Sequence, residues 1–150
     1  MMRKGFSLIE VLVVISILSV ASGILLVSFF SAQGEVVLEG AQATAVHALE
    51  NARSRALSGS GEGGDHGVRI MEDEIIVFTG DDFDSGTVQY TVPLPRSVTS
   101  DQSERDIVFK RITGLPNIGS GEDVSITLRK NSGEEVTVVV TDSGSIKGAQ

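Results

Sequence analysis

A lone carboxylate sets the terms for the start of this chain. Glu10 stands inside Phe6-Ser-Leu-Ile-Glu-Val-Leu-Val-Val-Ile15, and no charged side chain follows it from Val11 to Gln33. In lipid such a group costs on the order of 2.5–3.5 kcal/mol or more, so an intramembrane acid calls for a partner and a purpose. Arg3, Lys4 and Gly5 precede the run. A cut after Gly5 would expose the α-amino group of Phe6, a cation within reach of a Glu10 on a neighbouring copy.

Two plainer readings of residues 1–30 have to be weighed. A secretory signal would explain the two basic residues and the apolar run, but its core carries no Glu and an Ala-x-Ala site should close it. A simple membrane anchor fits better. Val11 to Phe30 is 20 residues, about 30 Å as a helix, enough to span a bilayer. Arg3 and Lys4 would hold the N-terminus in the cytoplasm.

Arg3-Lys4-Gly5 followed by Phe6-Ser-Leu-Ile-Glu-Val-Leu-Val-Val-Ile15 resembles the class III signal of type IV pilins and type II secretion pseudopilins. The resemblance implies a leader, residues 1–5, removed by a prepilin peptidase between Gly5 and Phe6. It further implies N-methylation of Phe6, and Glu10 as the assembly carboxylate. Residues 6–30 would be the transmembrane and assembly helix, and residues 31–150 a periplasmic pilin-like domain that includes the second half of the long helix. The implied partners are other pilins or pseudopilins through the N-terminal helix, the prepilin peptidase and an inner-membrane assembly platform. The implied location is the bacterial inner membrane, single-pass, and then a periplasmic filament.

The helix should not stop at the bilayer. Leu38, Ala41, Ala45, Leu49, Ala52 and Ala56 recur at spacings of three and four, one apolar stripe on an α-helix. Residues 6–57 contain no Pro, and Ala is the best helix former. The spacing predicts one helix from about Ser7 to Leu57, on the order of 75 Å long. Ser22-Gly23 and Gln33-Gly34 are its weak points, because Gly costs about 1 kcal/mol against Ala. The family resemblance implies local unwinding near Gly23 in an assembled filament. Ser58-Gly-Ser-Gly-Glu-Gly-Gly-Asp-His-Gly67 then ends the helix. It lacks the Gly-Lys-Ser/Thr ending of a phosphate-binding loop and follows a helix rather than opening one.

Beyond Gly67 the hydrophobic period becomes two. Val68–Met71 and Glu74–Thr79 read as a hairpin across Glu72-Asp73. Thr87–Val92 is a third strand, stopped by Pro93 and Pro95, and Asp106–Thr113 a fourth. Val124–Arg129 and Glu135–Thr141 form a second hairpin around Asn131-Ser-Gly133, with a last turn before Ser145–Lys147. The fold class expected is α+β: a long N-terminal helix, transmembrane in its first half, packed on antiparallel sheet. With 150 residues, no Cys, no Trp, six Phe and one Tyr, the core must be built from Val, Ile and Leu, without disulfides or thiolate metal sites.

Glu50-Asn-Ala-Arg-Ser-Arg-Ala-Leu57, Phe109 leading to Thr113-Gly-Leu-Pro116, and Gly144-Ser-Ile-Lys147 are similar to segments of the GspH/FimT group of minor pseudopilins. That implies two adjacent sheets behind the helix and a structural role in the type II secretion pseudopilus, supporting protein export across the outer membrane. The alternative is a minor type IV pilin in pilus assembly or DNA uptake. Some FimT-like members bind DNA through basic residues near the C-terminus, but here Lys147 stands alone beside Asp142. The whole chain carries a net charge of −8, and setting aside Arg3, Lys4 and Glu10 leaves 10 basic against 19 acidic side chains from Ser31 onward. Such a surface repels a phosphate backbone and argues against nucleic-acid binding.

Chemistry finds little footing. Asp81, Asp82 and Asp84 in Asp81-Asp-Phe-Asp-Ser-Gly86 could touch Ca²⁺, but the spacing and bidentate Glu of an EF-hand are missing; a solvated acidic loop is the better reading. Ser97–Glu104 offers hydroxyls and acids with no histidine beside them, and His47 and His66 lie far off in sequence. No catalytic residue, metal or cofactor is expected.

Overall fold

The computed structural model describes residues 8–59, 64–101 and 105–149, with side chains described throughout these except for 24–35 inside the helix. The expected leader, the expected Gly5–Phe6 cleavage point and the basic pair Arg3 and Lys4 therefore lie outside the described residues. So do residues 60–63 of the glycine loop and residues 102–104 at the end of the Ser97–Glu104 segment. The chain divides into two compact units, Met1–Val36 and Val37–Gln150.

One helix, α1 (Leu8–Ser58), accounts for the first 51 described residues. It passes through Ser22-Gly23 and Gln33-Gly34 without interruption. In the first unit every described side chain from Leu8 to Gly23 is exposed. Ser16 and Ser19 turn their hydroxyls inward, donating to the Leu12 and Ile15 carbonyls at 2.8 Å each, so their polar groups are satisfied within the helix.

In the second unit the stripe read from the sequence is the buried face. Leu38, Ala41, Ala45, Leu49, Ala52 and Ala56 are all at most 4% exposed, and Ala48 joins them. Small side chains along that face let the helix backbone come close to the sheets behind it. Those sheets are both four-stranded and antiparallel. The first consists of β1 (His66–Ile70), β2 (Glu74–Thr79), β3 (Thr87–Pro93) and β5 (Arg105–Phe109), in the order β3-β2-β1-β5. The second consists of β4 (Val98–Ser100), β6 (Val124–Lys130), β7 (Glu135–Val140) and β8 (Ile146–Ala149), in the order β4-β6-β7-β8. The fold is α+β, an N-terminal helix packed on antiparallel sheets.

One core joins the three layers. Val68, Ile70, Ile75, Val77, Ile107 and Phe109 come from the first sheet, and Val124, Ile126, Leu128, Val136, Val138 and Val140 from the second. β6 and β7 alternate buried and open positions, the signature of a sheet with one solvated face. β2 does not: Ile75 through Phe78 are all buried. The β2–β3 connection folds back over the outer face there, and Phe83 meets Phe78 edge-to-face at 5.5 Å. Gly67 makes room for the Phe78 ring, since a Cβ on it would come within 2.3 Å of the ring tip.

Several strand boundaries differ from the sequence reading: β1 runs His66–Ile70 where Val68–Met71 is predicted, and β7 stops one residue short, at Val140. The fourth predicted strand, Asp106–Thr113, stops at Phe109. Lys110–Thr113 turns back because the Ile112 amide is used to cap α1, donating to the Ala56 carbonyl at 2.9 Å. Val98–Ser100, where the sequence reading placed no strand, is a short edge strand on β6. Pro93 ends β3 from inside it, as an edge strand tolerates.

Candidate functional site

Glu10 lies in the first turn of α1, beside Val11, Val14 and Ile15 on an open face of the helix. Its apolar neighbours are as open as it is: Ile9 is 69% exposed, Leu12 58% and Ile15 58%. A helix apolar on all sides cannot be satisfied by water, and must be covered by lipid or by other helices. An acid on such a surface becomes buried with whatever covers it, and then needs a cation within hydrogen-bond reach. Gly5, Phe6, Arg3 and Lys4 lie outside the described residues, so the geometry of the processing site is Glu10 and its helix alone. Among the described residues no helix is long and apolar enough to cross a membrane; the expected span over 6–30 runs past the side chains described.

The second unit holds the other candidates. In the acidic turn, the carboxylates are engaged in structure. Asp82 accepts from the Ser85 amide at 2.8 Å and the Ser85 hydroxyl at 2.9 Å, which holds its carboxyl below the usual carboxylate range. Asp84 faces the Arg69 guanidinium at 3.6 Å. Arg69 in turn lies 4.1 Å above the Phe83 ring. These contacts pin the turn to the sheet. No group of three or more acidic, His or Cys side chains among the described residues is placed to hold a metal ion.

The two histidines stand apart. His47 is exposed on α1, 3.9 Å from Glu50. His66 is buried at the start of β1, with Nδ1 3.2 Å from the Thr79 hydroxyl. Lys147 is exposed on β8.

The C-terminal end of α1 is where the structure concentrates its polar geometry. Arg53 Nε donates to the Gly114 carbonyl at 3.3 Å. Gly144 packs against the same pair, so that a Cβ there would lie 2.9 Å from Arg53 Nε and from the Gly114 carbonyl oxygen. The helix end, the Thr113–Pro116 turn and the Gly144–Lys147 segment, quoted separately in the sequence, thus meet at Arg53. Nearby, Asp65 is nearly buried and receives the Lys110 ammonium and the Arg111 amide, each at 2.7 Å. Burial pushes the Asp65 carboxyl up, but Lys110 and the Arg111 N–H outweigh it and hold it below its ordinary value. The hydrogen bond to Asp65 raises Lys110. Sequence reading missed both Asp65–Lys110 and Arg69–Asp106. Alternation places such residues on faces of strands, while the pairing follows from which strands become neighbours.

Residues 1–26 match the family model described as the prokaryotic N-terminal methylation motif. No curated protein and no solved structure matches the chain. The motif implies processing by a prepilin peptidase and assembly of the pilin type, and it suggests a membrane-anchored protein.

Proposed function

We propose that this chain is a minor pseudopilin, a structural subunit of the type II secretion pseudopilus with no catalytic step of its own. The observation that carries the reading is Glu10: one acid on a helix that is apolar all round, five residues past a methylation-motif cleavage point. After cleavage between Gly5 and Phe6, the Glu10 carboxylate would draw a subunit toward the Phe6 amine of a neighbour. The exposed apolar faces would then bundle into a filament core. In that dry surrounding the pair is stronger than in water, though desolvation offsets much of the gain, so Glu10 acts chiefly on recruitment and register. The convergence of three segments on Arg53, behind two four-stranded sheets, supports assignment to the GspH/FimT group.

A second reading, a minor type IV pilin in pilus assembly or DNA uptake, shares the N-terminal mechanism. The excess of acidic side chains and the isolation of Lys147 weigh against its DNA-binding form. Glu10→Ala tests the common mechanism: assembly should be blocked while the second unit stays folded and Gly5–Phe6 is still cut. Filaments carrying the variant at normal yield would reject it. Export of secreted proteins in a strain lacking this subunit separates the two readings, because only the first requires a secretion defect.

A further inference from the structure

The two sheets have four edges, and three of them are short or covered by the chain itself. On β5 the Asn117 amide donates to the Val108 carbonyl at 2.7 Å, and the Lys110 amide to the Leu115 carbonyl at 2.8 Å. On β4, three residues long, the Ser100 amide donates to the Glu72 carbonyl at 3.0 Å. β8 is four residues long, carries Lys147 and has its Ala149 carbonyl held by Gln42. β3 is the exception. It runs for seven residues, Thr87-Val-Gln-Tyr-Thr-Val-Pro93, without a charge. Among the described residues it pairs with β2 alone, and no loop backbone group closes its outer side. A bare edge of this length is a template for another strand, and folded proteins blunt such edges with charge, brevity or cover.

Pairing geometry fixes which groups this edge offers. The Leu94 amide donates to the Asp73 carbonyl at 2.8 Å. Bonding alternates along an antiparallel pair, so Val92 and Tyr90 direct their backbone groups at β2, while the Thr91 N–H and C=O and the Pro93 C=O face outward. Tyr90 and Val92 are half-buried, Tyr90 against the core, and Thr91 is open. A strand laid along Thr91 would set one residue in the open beside it and that residue's two neighbours beside Tyr90 and Val92. Both ends of the edge are acidic. Glu74 stands opposite Pro93, with Asp73 next to it, and Asp82 is tied to Ser85, two residues before Thr87. Arg96 is the only base between Glu72 and Asp101, and Arg69 is committed to Asp106. Antiparallel pairing of β3 with its own copy would bring the Asp82 end of one beside the Glu74 end of the other, like charge against like. We infer that the β3 edge takes an extended segment of a different polypeptide, with apolar β-branched residues at alternate positions and Lys or Arg at each end. Backbone hydrogen bonds at Thr91 dock the segment, its alternate side chains select it, and the end charges discriminate against a second copy. The inference concerns the second unit alone and does not depend on the filament-subunit reading.

Tyr90 is the single Tyr of the chain and Trp is absent, so intrinsic emission reports from the edge itself. The probe is the peptide Lys-Val-Thr-Val-Thr-Val-Lys, titrated into the full-length chain in neutral detergent micelles. A saturable change in Tyr90 emission is expected, together with slowed hydrogen exchange at the Thr91 amide. N-methyl groups on the two Thr residues of the peptide remove the N–H groups that face β3 and should abolish both signals. Glu in place of both Lys residues should weaken binding by about fivefold or more, the scale of exposed ion pairs. Thr91→Pro takes the outward N–H from the edge and should abolish binding in a chain whose thermal unfolding is unchanged. If that variant does not fold, the N-methylated peptide makes the same test on the intact protein. No emission change at millimolar peptide, or equal binding of the N-methylated or the Glu-ended peptide, overturns the inference. Disulfide dimers of a Thr91→Cys chain that a Ser132→Cys chain does not form would make a second copy the occupant, and overturn it too.

Discussion

Arg69 and Asp106 face each other across β1 and β5 through two parallel hydrogen bonds, Nε to Oδ1 at 2.5 Å and Nη2 to Oδ2 at 2.9 Å. The fork-on-fork geometry is that of a strong charge-assisted pair. Both side chains are largely shielded, 14% and 19% exposed. Asp106 also accepts from the Phe83 amide at 3.3 Å, so the pair fastens the β2–β3 turn over Phe78. Asp106→Ala removes the shielded, bidentate partner of Arg69 and leaves the largely exposed Asp84 at 3.6 Å facing it, and should cost about 2–3 kcal/mol in urea unfolding. Replacing both Arg69 and Asp106 with apolar residues should cost less than the single change, because no shielded charge then loses its bidentate partner.

The Asp65–Lys110 pair gives stability a dependence on pH at both extremes. The Asp65 carboxyl is held below its ordinary value of 3.8 in the folded chain. Its contribution is therefore complete above that value and is lost as pH falls through the lower folded value. Lys110 is raised above its ordinary 10.5, so its contribution is present below 10.5 and lost as pH rises through the raised value. Asp65→Asn should flatten both limbs of an unfolding free energy versus pH profile. An unchanged acid limb would remove Asp65 from the account.

Gly67 offers no space for a methyl group. A Cβ would meet the Phe78 ring at 2.3 Å, and that ring is fully buried. Gly67→Ala should destabilise by about 1–3 kcal/mol, the usual range for overpacking, and should disturb the Phe78–Phe83 contact seen in aromatic ring-current shifts.

Ile112, at φ 73° in the left-handed region, carries the opposite expectation. Asn accepts the left-handed conformation better than a β-branched residue, so Ile112→Asn should raise stability by up to about 1 kcal/mol in thermal unfolding. Destabilisation would show that the side chain contributes to folding after all.

Processing has its own test. Gly5→Val should leave the precursor uncut, and mass spectrometry of the membrane fraction should return the full-length mass without the Phe6-terminated, methylated product.

The parts of the fold legible in sequence are those with local periodicity. Leu38 to Ala56 at helical spacing marked the buried face, because each position repeats the side of the last. Val124–Arg129 and Glu135–Thr141 showed their alternation and their turn, and pair as Ile126 with Val138 and Leu128 with Val136. The Arg3–Ile15 motif pointed to processing before any geometry was known. What stayed hidden was set by distant neighbours. Phe109 ends its strand because the residues after it are recruited by Ala56, over fifty positions upstream. Val98–Ser100 is a strand only because Arg129 and Leu128 lie beside it. Ile112 looked like one more strand residue, since nothing local signals a left-handed isoleucine.

Gln42 ties α1 to the second sheet. Its side-chain amide donates to the Thr137 carbonyl at 2.9 Å and the Ala149 carbonyl at 3.0 Å, and thereby grips two neighbouring strands from α1. Farther up the same helix, Arg53 and Ala56 are anchored to the 110–116 segment. Tension applied along the helix would load these fasteners together, in shear, rather than peel them one after another. A helix fastened in this way resists being drawn out lengthwise from the sheets it covers.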